Sequence, residues 1–142
     1  MSGSDFDRAV ETYREALGDF VAGDPGAVMR LFSRRADVTL ANPLGPPRRG
    51  PEDVEKAIKA AAANFSGGTV RFQEVSRFQT ADLGYVVHLE VNEVRLSGRA
   101  ERERSTLRVT MIFRREGDSW KVAHRHADPI TTDQPIDTIL DR

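Results

Sequence analysis

The N-terminal part of the chain carries apolar residues at intervals of three and four, which is the spacing of one buried helical face. Ser4 and Asp7 form a capping-box pattern in front of this stretch, and Gly23 is a typical residue for a helix to end at. The sequence therefore predicts a first helix over residues 5–22. Its buried face would consist of Phe6, Ala9, Val10, Tyr13, Ala16, Leu17, Phe20 and Val21.

A second, shorter helix is predicted directly afterwards, because Asp24 resembles an N-cap with Pro25 at the first helical position. Its apolar residues are Val28, Met29, Leu31 and Phe32. A strand is predicted near residues 37–41. The next segment, residues 42–50, contains three prolines and two glycines, so it is predicted to be a loop.

A third helix is predicted to begin at Pro51 and to end at Ser66-Gly67-Gly68. It would bury Val54, Ala57, Ile58, Ala61, Ala62 and Phe65. After Gly68 the period of the apolar positions falls to two, which is typical of strands. Strands are predicted near residues 69–79, 83–96, 100–114 and 119–128. The turns between them are short, so neighbouring strands must be antiparallel.

The predicted order of elements is ααβαββββ, which indicates an α+β fold. The N-terminal helices would cover one face of a curved, mostly antiparallel sheet and form a cone-shaped roll. We expect one domain over residues 1–142, with residues 129–142 as a flexible tail or a final helical turn. Helices that do not fill the open end of such a cone leave a hollow, and hollows of this kind usually bind small molecules.

Composition excludes several classes of partner and site. The 142 residues carry a net charge of -1 with basic residues spread along the chain, so no nucleic-acid partner is expected. The absence of cysteine excludes a disulfide framework and cysteine-ligated zinc. The N-terminus lacks the basic and apolar regions of a signal peptide, and no apolar run is long enough to span a bilayer. We therefore expect a cytoplasmic protein with no membrane partner.

Two segments resemble a known family. They are VTLANPLGPPRRG, which ends in glycine before the third helix, and LRVTMIFRREGDSWKVAHRHADP, which covers the last hairpin. Together with the ααβαββββ order they resemble the SnoaL-like branch of the nuclear transport factor 2 fold, which also contains ketosteroid isomerase. The resemblance covers nearly the whole chain and implies the fold. It does not imply one activity, because this fold carries isomerases, cyclases, epoxide hydrolases, dehydratases and binding-only subunits.

The ketosteroid isomerase residues do not match this chain. The catalytic base of those enzymes is an Asp before a Pro-x-Gly sequence, and the corresponding residue here is Asn42. An amide does not accept a proton from carbon at neutral pH. The oxyanion-binding Tyr and its partner Asp would fall near Ala16 and Thr110. Steroid isomerisation by that mechanism is therefore not expected.

Near the C-terminus, His124, His126 and Asp128 stand at alternating positions of one predicted strand, so they project to one side, which we call the histidine face. A histidine oriented by a carboxylate can act as a general acid or base, so these three residues are catalytic candidates. Three ligands along one strand span about 13 Å, which is too far for one metal ion, and no metal is expected. The other possibility is a set of hydrogen-bonded groups at a subunit interface.

Which residues meet across the last hairpin depends on the number of residues in its loop. An even number places Arg108 and Thr110 on the same face as Arg125, and an odd number places them on the histidine face. The sequence leaves both open. We favour the even arrangement, because Ala123 and Ala127 leave space for a ligand beside Arg125.

In that arrangement the predicted ligand-binding residues are Tyr13, Asn42, Arg108, Thr110 and Arg125. Two guanidinium groups suit a carboxylate, a phenolate or an enolate. The alternative is that either arginine pairs with Glu90 or with another neighbouring acid. We expect Arg108→Ala to weaken the binding of a carboxylate ligand about tenfold or more.

The predicted function is the binding of a small apolar or aromatic ligand that carries an anionic group. The resemblance implies a cofactor-free isomerase, cyclase or dehydratase activity by acid/base chemistry, and no cofactor is expected. The alternative is a non-catalytic ligand-binding or association module. We expect a homodimer that associates through the sheet, because Trp120, Val122 and the histidine face would form one bulky surface.

Overall fold

The computed structural model describes residues 4–141, so Met1–Gly3 and Arg142 of the predicted domain lie outside the described residues. Helix α1 (Asp5–Val21) begins with the predicted capping box. The backbone N–H of Asp7 donates to Ser4 Oγ at 3.1 Å, and the backbone N–H of Ser4 donates to the Asp7 carboxylate at 3.2 Å. These bonds satisfy two N–H groups that an uncapped helix end would leave without partners.

Helix α2 (Gly26–Leu31) begins one residue later than predicted. The Asp24 carboxylate accepts a hydrogen bond from the backbone N–H of Gly26 at 2.9 Å, which forms a turn before the helix. Helix α3 (Pro51–Ala62) follows Gly50, whose φ of +91° favours glycine. Within residues 4–141, no helix has both the length and the apolar composition that a bilayer crossing requires.

The remaining elements form one six-stranded sheet with the strand order β2-β1-β6-β5-β4-β3. Its strands are β1 (Thr39–Ala41), β2 (Arg48–Arg49), β3 (Phe65–Gln79), β4 (Leu83–Leu96), β5 (Arg102–Glu116) and β6 (Ser119–Asp128). All neighbours are antiparallel except β1 and β6, which are parallel. The α+β prediction of three helices against a curved, mostly antiparallel sheet is confirmed.

Two predictions about local structure are wrong. Residues 42–50 contain the two-residue strand β2, because Arg48 and Arg49 pair with β1. Residues 66–68 do not end α3 but belong to β3, which begins at Phe65. Gly68 has a φ of +145°, and a Cβ there would lie 2.3 Å from the carbonyl oxygen of Glu93. Glycine is required at this position for close strand packing and not for a helix terminus.

One end of the cone is closed by aromatic packing. The Phe6 ring of α1 lies 5.5 Å from the Phe113 ring and 5.4 Å from the Trp120 ring, measured between centroids. Gly84 allows this contact, because a Cβ there would lie 2.6 Å from the Phe6 ring. At the opposite end, Leu17, Phe20 and Val21 of the C-terminal half of α1 line an open space. Beyond β6, a 3₁₀ helix (Ile136–Ile139) has exposed side chains.

Candidate functional site

The open end of the cone contains a cavity of about 400 Å³. It lies between α1, α3, the loop of residues 42–47 and the inner face of β4–β6. Its apolar lining includes Leu17, Phe20, Val28, Ile58, Phe65 and Leu107. Cavities that bind small molecules usually measure about 300–1,000 Å³ and are mostly apolar, so this cavity has the size and lining of a ligand site.

A buried ion pair forms the polar floor of the cavity. Arg125 Nη1 and Nη2 donate to the two carboxylate oxygens of Glu90 at 2.7 and 2.8 Å. Arg125 and Glu90 are 5% and 2% exposed. Arg125 Nε donates to Asn42 Oδ1 at 3.3 Å, and the guanidinium carbon lies 5.9 Å from the centroid of the Tyr13 ring. The floor therefore brings together residues of α1, of the loop of residues 42–47 and of strands β4 and β6.

Both members of this pair are charged. Burial alone would raise the pKa of Glu90, but Arg125 and the hydrogen bond from His88 lower it to about 2. Burial opposes the charge on Arg125 as well, and the Glu90 carboxylate raises the pKa of that guanidinium above its ordinary value. Burial raises the pKa of Tyr13 to about 12, so its hydroxyl keeps its proton and can donate a hydrogen bond.

His88 lies behind Glu90 and fixes the position of its carboxylate. Arg14 Nη2 lies 3.1 Å from His88 Nδ1, and His88 Nε2 lies 3.0 Å from Glu90 Oε2. Because a guanidinium can only donate, Nδ1 accepts from Arg14 and Nε2 carries the proton that it donates to Glu90. Arg14 also donates to Glu74 at 2.9 Å, so the buried groups connect to the surface near β3.

A second polar group of the cavity lies on β4, the strand that carries Glu90. Asn92 Nδ2 donates to Ser105 Oγ at 3.2 Å, and both residues line the cavity. Asn92 is two residues beyond Glu90 in β4, so the two polar points are separated by about 7 Å of strand. The cavity therefore offers hydrogen-bonding groups at two depths in an otherwise apolar space.

Three of the five predicted ligand-binding residues, Tyr13, Asn42 and Arg125, line the cavity. Glu90 was named from the sequence as an alternative partner for an arginine, which its pairing with Arg125 confirms, whereas Asn92 and Ser105 were not predicted. A signal for Glu90 and Asn92 was present. With His88 they occupy alternating positions of β4 and continue the inward-facing pattern of its apolar residues, and polar groups at such positions require buried partners.

The preferred arrangement of the last hairpin is wrong, because β6 contains a β-bulge. The hairpin turn has two residues, 117–118, which is the even number that this arrangement requires. Phe113 pairs with Val122, but the next residue of β5, Ile112, pairs with His124. One extra residue in β6 therefore shifts the register and exchanges its two faces beyond that point.

The bulge removes Arg108 and Thr110 from the cavity. Thr110 pairs with His126 on the outer face of the sheet, whereas Met111 pairs with Arg125 on the inner face. The side chain of Arg108 is 55% exposed and lies outside the lining. The prediction that Arg108 and Thr110 share the inner face with Arg125 is therefore wrong.

The histidine face also lies on the outer side of the sheet. His124 Nδ1 is 2.7 Å from Thr39 Oγ1, and His126 Nε2 is 3.2 Å from Asp128 Oδ2. Arg108 Nε donates to Asp128 Oδ1 at 2.6 Å. These catalytic candidates cannot contact a molecule in the cavity, because the sheet separates them from it. Among residues 4–141, no group of three His, Cys, Asp or Glu residues is placed to hold a metal ion.

The predicted bulky outer surface is incomplete for the same reason. Trp120 and Val122 precede the bulge and point into the core, where both are buried. His124 follows the bulge and points outwards. The prediction that Trp120 and Val122 share an outward face with the histidines is therefore wrong.

The placement of Arg108 changes the expected result of its substitution. Arg108→Ala will leave ligand binding in the cavity unchanged and will lower the free energy of unfolding by less than about 1 kcal/mol, because exposed ion pairs contribute little. Calorimetric titration of a cavity ligand together with urea unfolding checks both values. A tenfold loss of affinity would contradict this placement.

Comparison with known proteins identifies the family. The model of the SnoaL-like domain matches residues 10–123 of the chain. The comparison with curated proteins gave no significant match.

Solved structures agree with the fold. A nuclear transport factor 2-like superfamily protein from Salmonella enterica has a TM-score of 0.75 at 14% identity, over 89% of each chain. A candidate dehydratase of the same family from Streptomyces avermitilis has a TM-score of 0.75 at 21% identity, over 90% of this chain and 96% of its own. A candidate calcium/calmodulin-dependent protein kinase type II association domain from Thiobacillus denitrificans has a TM-score of 0.68 at 19% identity, over 88% and 94%.

The family model matches most of the chain. The cone with its cavity and buried polar floor agrees with that match. The chain belongs to the SnoaL-like family and has the nuclear transport factor 2-like fold.

Proposed function

We propose that the chain binds a small, mostly apolar molecule in its cone. The observation that carries this proposal is the cavity of about 400 Å³ whose apolar wall ends in the buried cluster of Tyr13, Glu90 and Arg125. An apolar wall favours an apolar guest, and the few polar groups at the floor orient it. The guest would place one hydrogen-bonding group against this cluster.

Binding without turnover is the better-supported function. Among residues 4–141, the titratable residues that line the cavity are Tyr13, Arg48, Glu90 and Arg125. Arg125 holds Glu90 as a carboxylate with a lowered pKa, which makes Glu90 a weak base. A general base normally has a pKa near the working pH, and neither Tyr13 nor Glu90 meets that condition. The two arginines carry guanidinium groups, which only donate.

Cofactor-free acid/base turnover is the second candidate. The Tyr13 hydroxyl, whose pKa is raised, can donate a hydrogen bond to a developing oxyanion beside Arg125. One protein of similar fold is named as a candidate dehydratase. Incubation of the protein with each molecule that it binds, followed by mass spectrometry, separates the two functions. Product formation that Tyr13→Phe abolishes would favour turnover, and unchanged ligand would favour binding alone.

Filling the cavity tests the proposal directly. Ala61 on α3 lines the cavity, so Ala61→Phe will fill part of it and weaken binding of apolar bicyclic molecules about tenfold or more. Ala63→Phe is the matched control, because Ala63 is exposed and lies outside the lining. A panel of naphthalene derivatives with hydroxyl, amide or carboxylate groups can be titrated by NMR. Equal binding by both variants, or no binding by the unmodified protein, would contradict the proposal.

We also propose a homodimer that forms through the outer face of the sheet. The apolar side chains of Phe78, Leu83 and Tyr85 are exposed near the β3–β4 turn, and the Phe78 and Tyr85 rings lie 6.1 Å apart. Exposed apolar groups that lie together favour association with a second copy.

Light scattering will give a dimer mass, and Phe78→Glu will shift it to the monomer. Ile136→Glu changes an exposed residue of the 3₁₀ helix and is the control; a monomeric unmodified protein would reject the dimer.

A further inference from the structure

The floor of the cavity contains a cation whose charge is already balanced. Both terminal nitrogens of Arg125 donate to Glu90, at 2.7 and 2.8 Å, and its Nε donates to Asn42. The charges of Arg125 and Glu90 therefore sum to zero at the point where a guest would contact them. Because Glu90 and Arg125 are in direct contact, a carboxylate brought to this floor would meet both charges, and the repulsion from Glu90 would offset the attraction to Arg125.

Glu90 cannot easily move aside to let an anionic guest reach Arg125. Its Oε2 accepts from Arg125 at 2.7 Å and from His88 at 3.0 Å. His88 is fixed in turn by Arg14, whose guanidinium lies 3.1 Å from Nδ1. A rotated Glu90 would remove the acceptor of both Nη atoms of Arg125 and of Nε2 of His88, and buried polar groups without partners are costly.

Apart from Arg48, the other polar groups that a guest would meet are uncharged. Tyr13 offers a hydroxyl, Asn42, Asn64 and Asn92 offer amides, and Ser105 offers a second hydroxyl. Arg48 is the other cation in the described lining, and it lies at the mouth on β2, where it is partly exposed to water. Water screens its charge, so Arg48 contributes little attraction for an anion at the buried floor.

We infer that Glu90 is the specificity-determining residue of this cavity, and that it restricts the guest to neutral, largely apolar molecules that carry a carbonyl, amide or hydroxyl group. This inference rests on the proposed function, because it concerns the ligand class of the same cavity. It replaces the anionic ligand that the two arginines led us to expect from the sequence. Glu90 acts by cancelling the charge of Arg125.

Two probes of the same shape test the inference without a known ligand. 2-Naphthamide and 2-naphthoate differ in one group, which is neutral in the first and a carboxylate in the second at pH 7. We expect the unmodified protein to bind the amide about tenfold or more tightly than the carboxylate, because the carboxylate loses its hydration at a floor that offers no net attraction to its charge. Isothermal titration calorimetry at constant ionic strength gives both dissociation constants.

Glu90→Gln makes the matching change in the protein. It keeps the shape of the side chain and removes its charge, which leaves Arg125 as a buried cation without a counterion. The variant is expected to reverse the preference and to bind the carboxylate about tenfold or more tightly than the amide. Glu93→Gln is the control, because Glu93 is exposed on the outer face of the same strand. It should keep the preference of the unmodified protein.

The outcomes separate the two proposals. If the unmodified protein binds the carboxylate as tightly as the amide, or if folded Glu90→Gln keeps the original preference, the inference is overturned and the proposed function stands. If the unmodified protein binds neither probe, the proposed function fails and the inference fails with it. If Glu90→Gln does not fold, as circular dichroism would show, the ratio measured on the unmodified protein decides alone.

Discussion

Arg125→Met will lower the free energy of unfolding by about 3–5 kcal/mol, because it leaves the Glu90 carboxylate buried without its partner. Glu90 is 2% exposed, so water cannot replace the two hydrogen bonds that Arg125 donates. Urea unfolding followed by circular dichroism measures the loss. Arg108→Met is the matched control, because the ion pair of Arg108 with Asp128 has an exposed guanidinium and its loss should cost less than about 1 kcal/mol.

The double variant Arg125→Met/Glu90→Leu separates charge from packing. Replacing both members of a buried ion pair by apolar residues is often neutral or stabilising, so the double variant should recover most of the stability that Arg125→Met loses. A double variant that is no more stable than Arg125→Met would mean that the guanidinium contributes through packing. The account of the floor as an ion pair would then be wrong.

Acid will destabilise the chain as the pH falls from about 4.5 towards 2, because the Arg125 guanidinium lowers the pKa of Glu90 from the ordinary value of 4.5 to about 2 in the folded chain. A carboxylate whose pKa is lowered by folding stabilises the folded state above its unfolded pKa and loses that contribution as the folded state is protonated. The expected loss from Glu90 is on the order of 3 kcal/mol. Urea unfolding at a series of pH values from 7 to 2 measures it.

Other carboxylates titrate in the same range, so the comparison must isolate Glu90. Asp7 and Glu74 also have lowered pKa values, which they owe first to hydrogen bonds from Arg77. The double variant Arg125→Met/Glu90→Leu keeps these groups and lacks Glu90. It should therefore lose less stability on acidification than the unmodified protein. Equal losses in the two proteins would show that Glu90 is not a buried anion in the folded chain.

The helices and most of the order of elements along the chain were predictable, because each depends on local patterns. The capping box at Ser4 and Asp7 places the start of α1, and the change of period after Gly68 indicates the long strands, although β3 already begins at Phe65. The short turns require antiparallel neighbours, which the structure confirms for β3–β6. The resemblance to the SnoaL-like family agreed with these patterns.

The faces of β6 could not be predicted, because they depend on one unpaired residue. The two-residue turn at 117–118 gave the parity that places Arg108 inside the cone, and the bulge between Val122 and His124 reversed it. No residue at that point of the sequence marks a bulge, since neither Gly nor Pro occurs there. An error of one residue in register therefore moved two predicted site residues from the cavity to the outer surface.

The charge of the site depended on a contact distant in sequence. Arg125 was predicted as a cation for an anionic ligand, with a pairing to Glu90 as the alternative, and the structure confirms that alternative: Glu90, 35 positions earlier, neutralises it. Strand order brings the two together, because β5 lies between β4 and β6 and places their inward side chains within reach across it. Which acid pairs with a buried arginine depends on the order of the strands in the sheet. The sequence pattern indicated only part of that order.

The most direct test is a crystal structure of the protein grown with 2-naphthamide. We expect electron density for the naphthalene ring within the apolar wall near Leu17, Ile58 and Leu107, with the amide within hydrogen-bonding distance of the Tyr13–Arg125 floor. Arg125 and Glu90 should remain paired in that complex. A cone filled by its own side chains, or a ligand bound only outside it, would contradict the account.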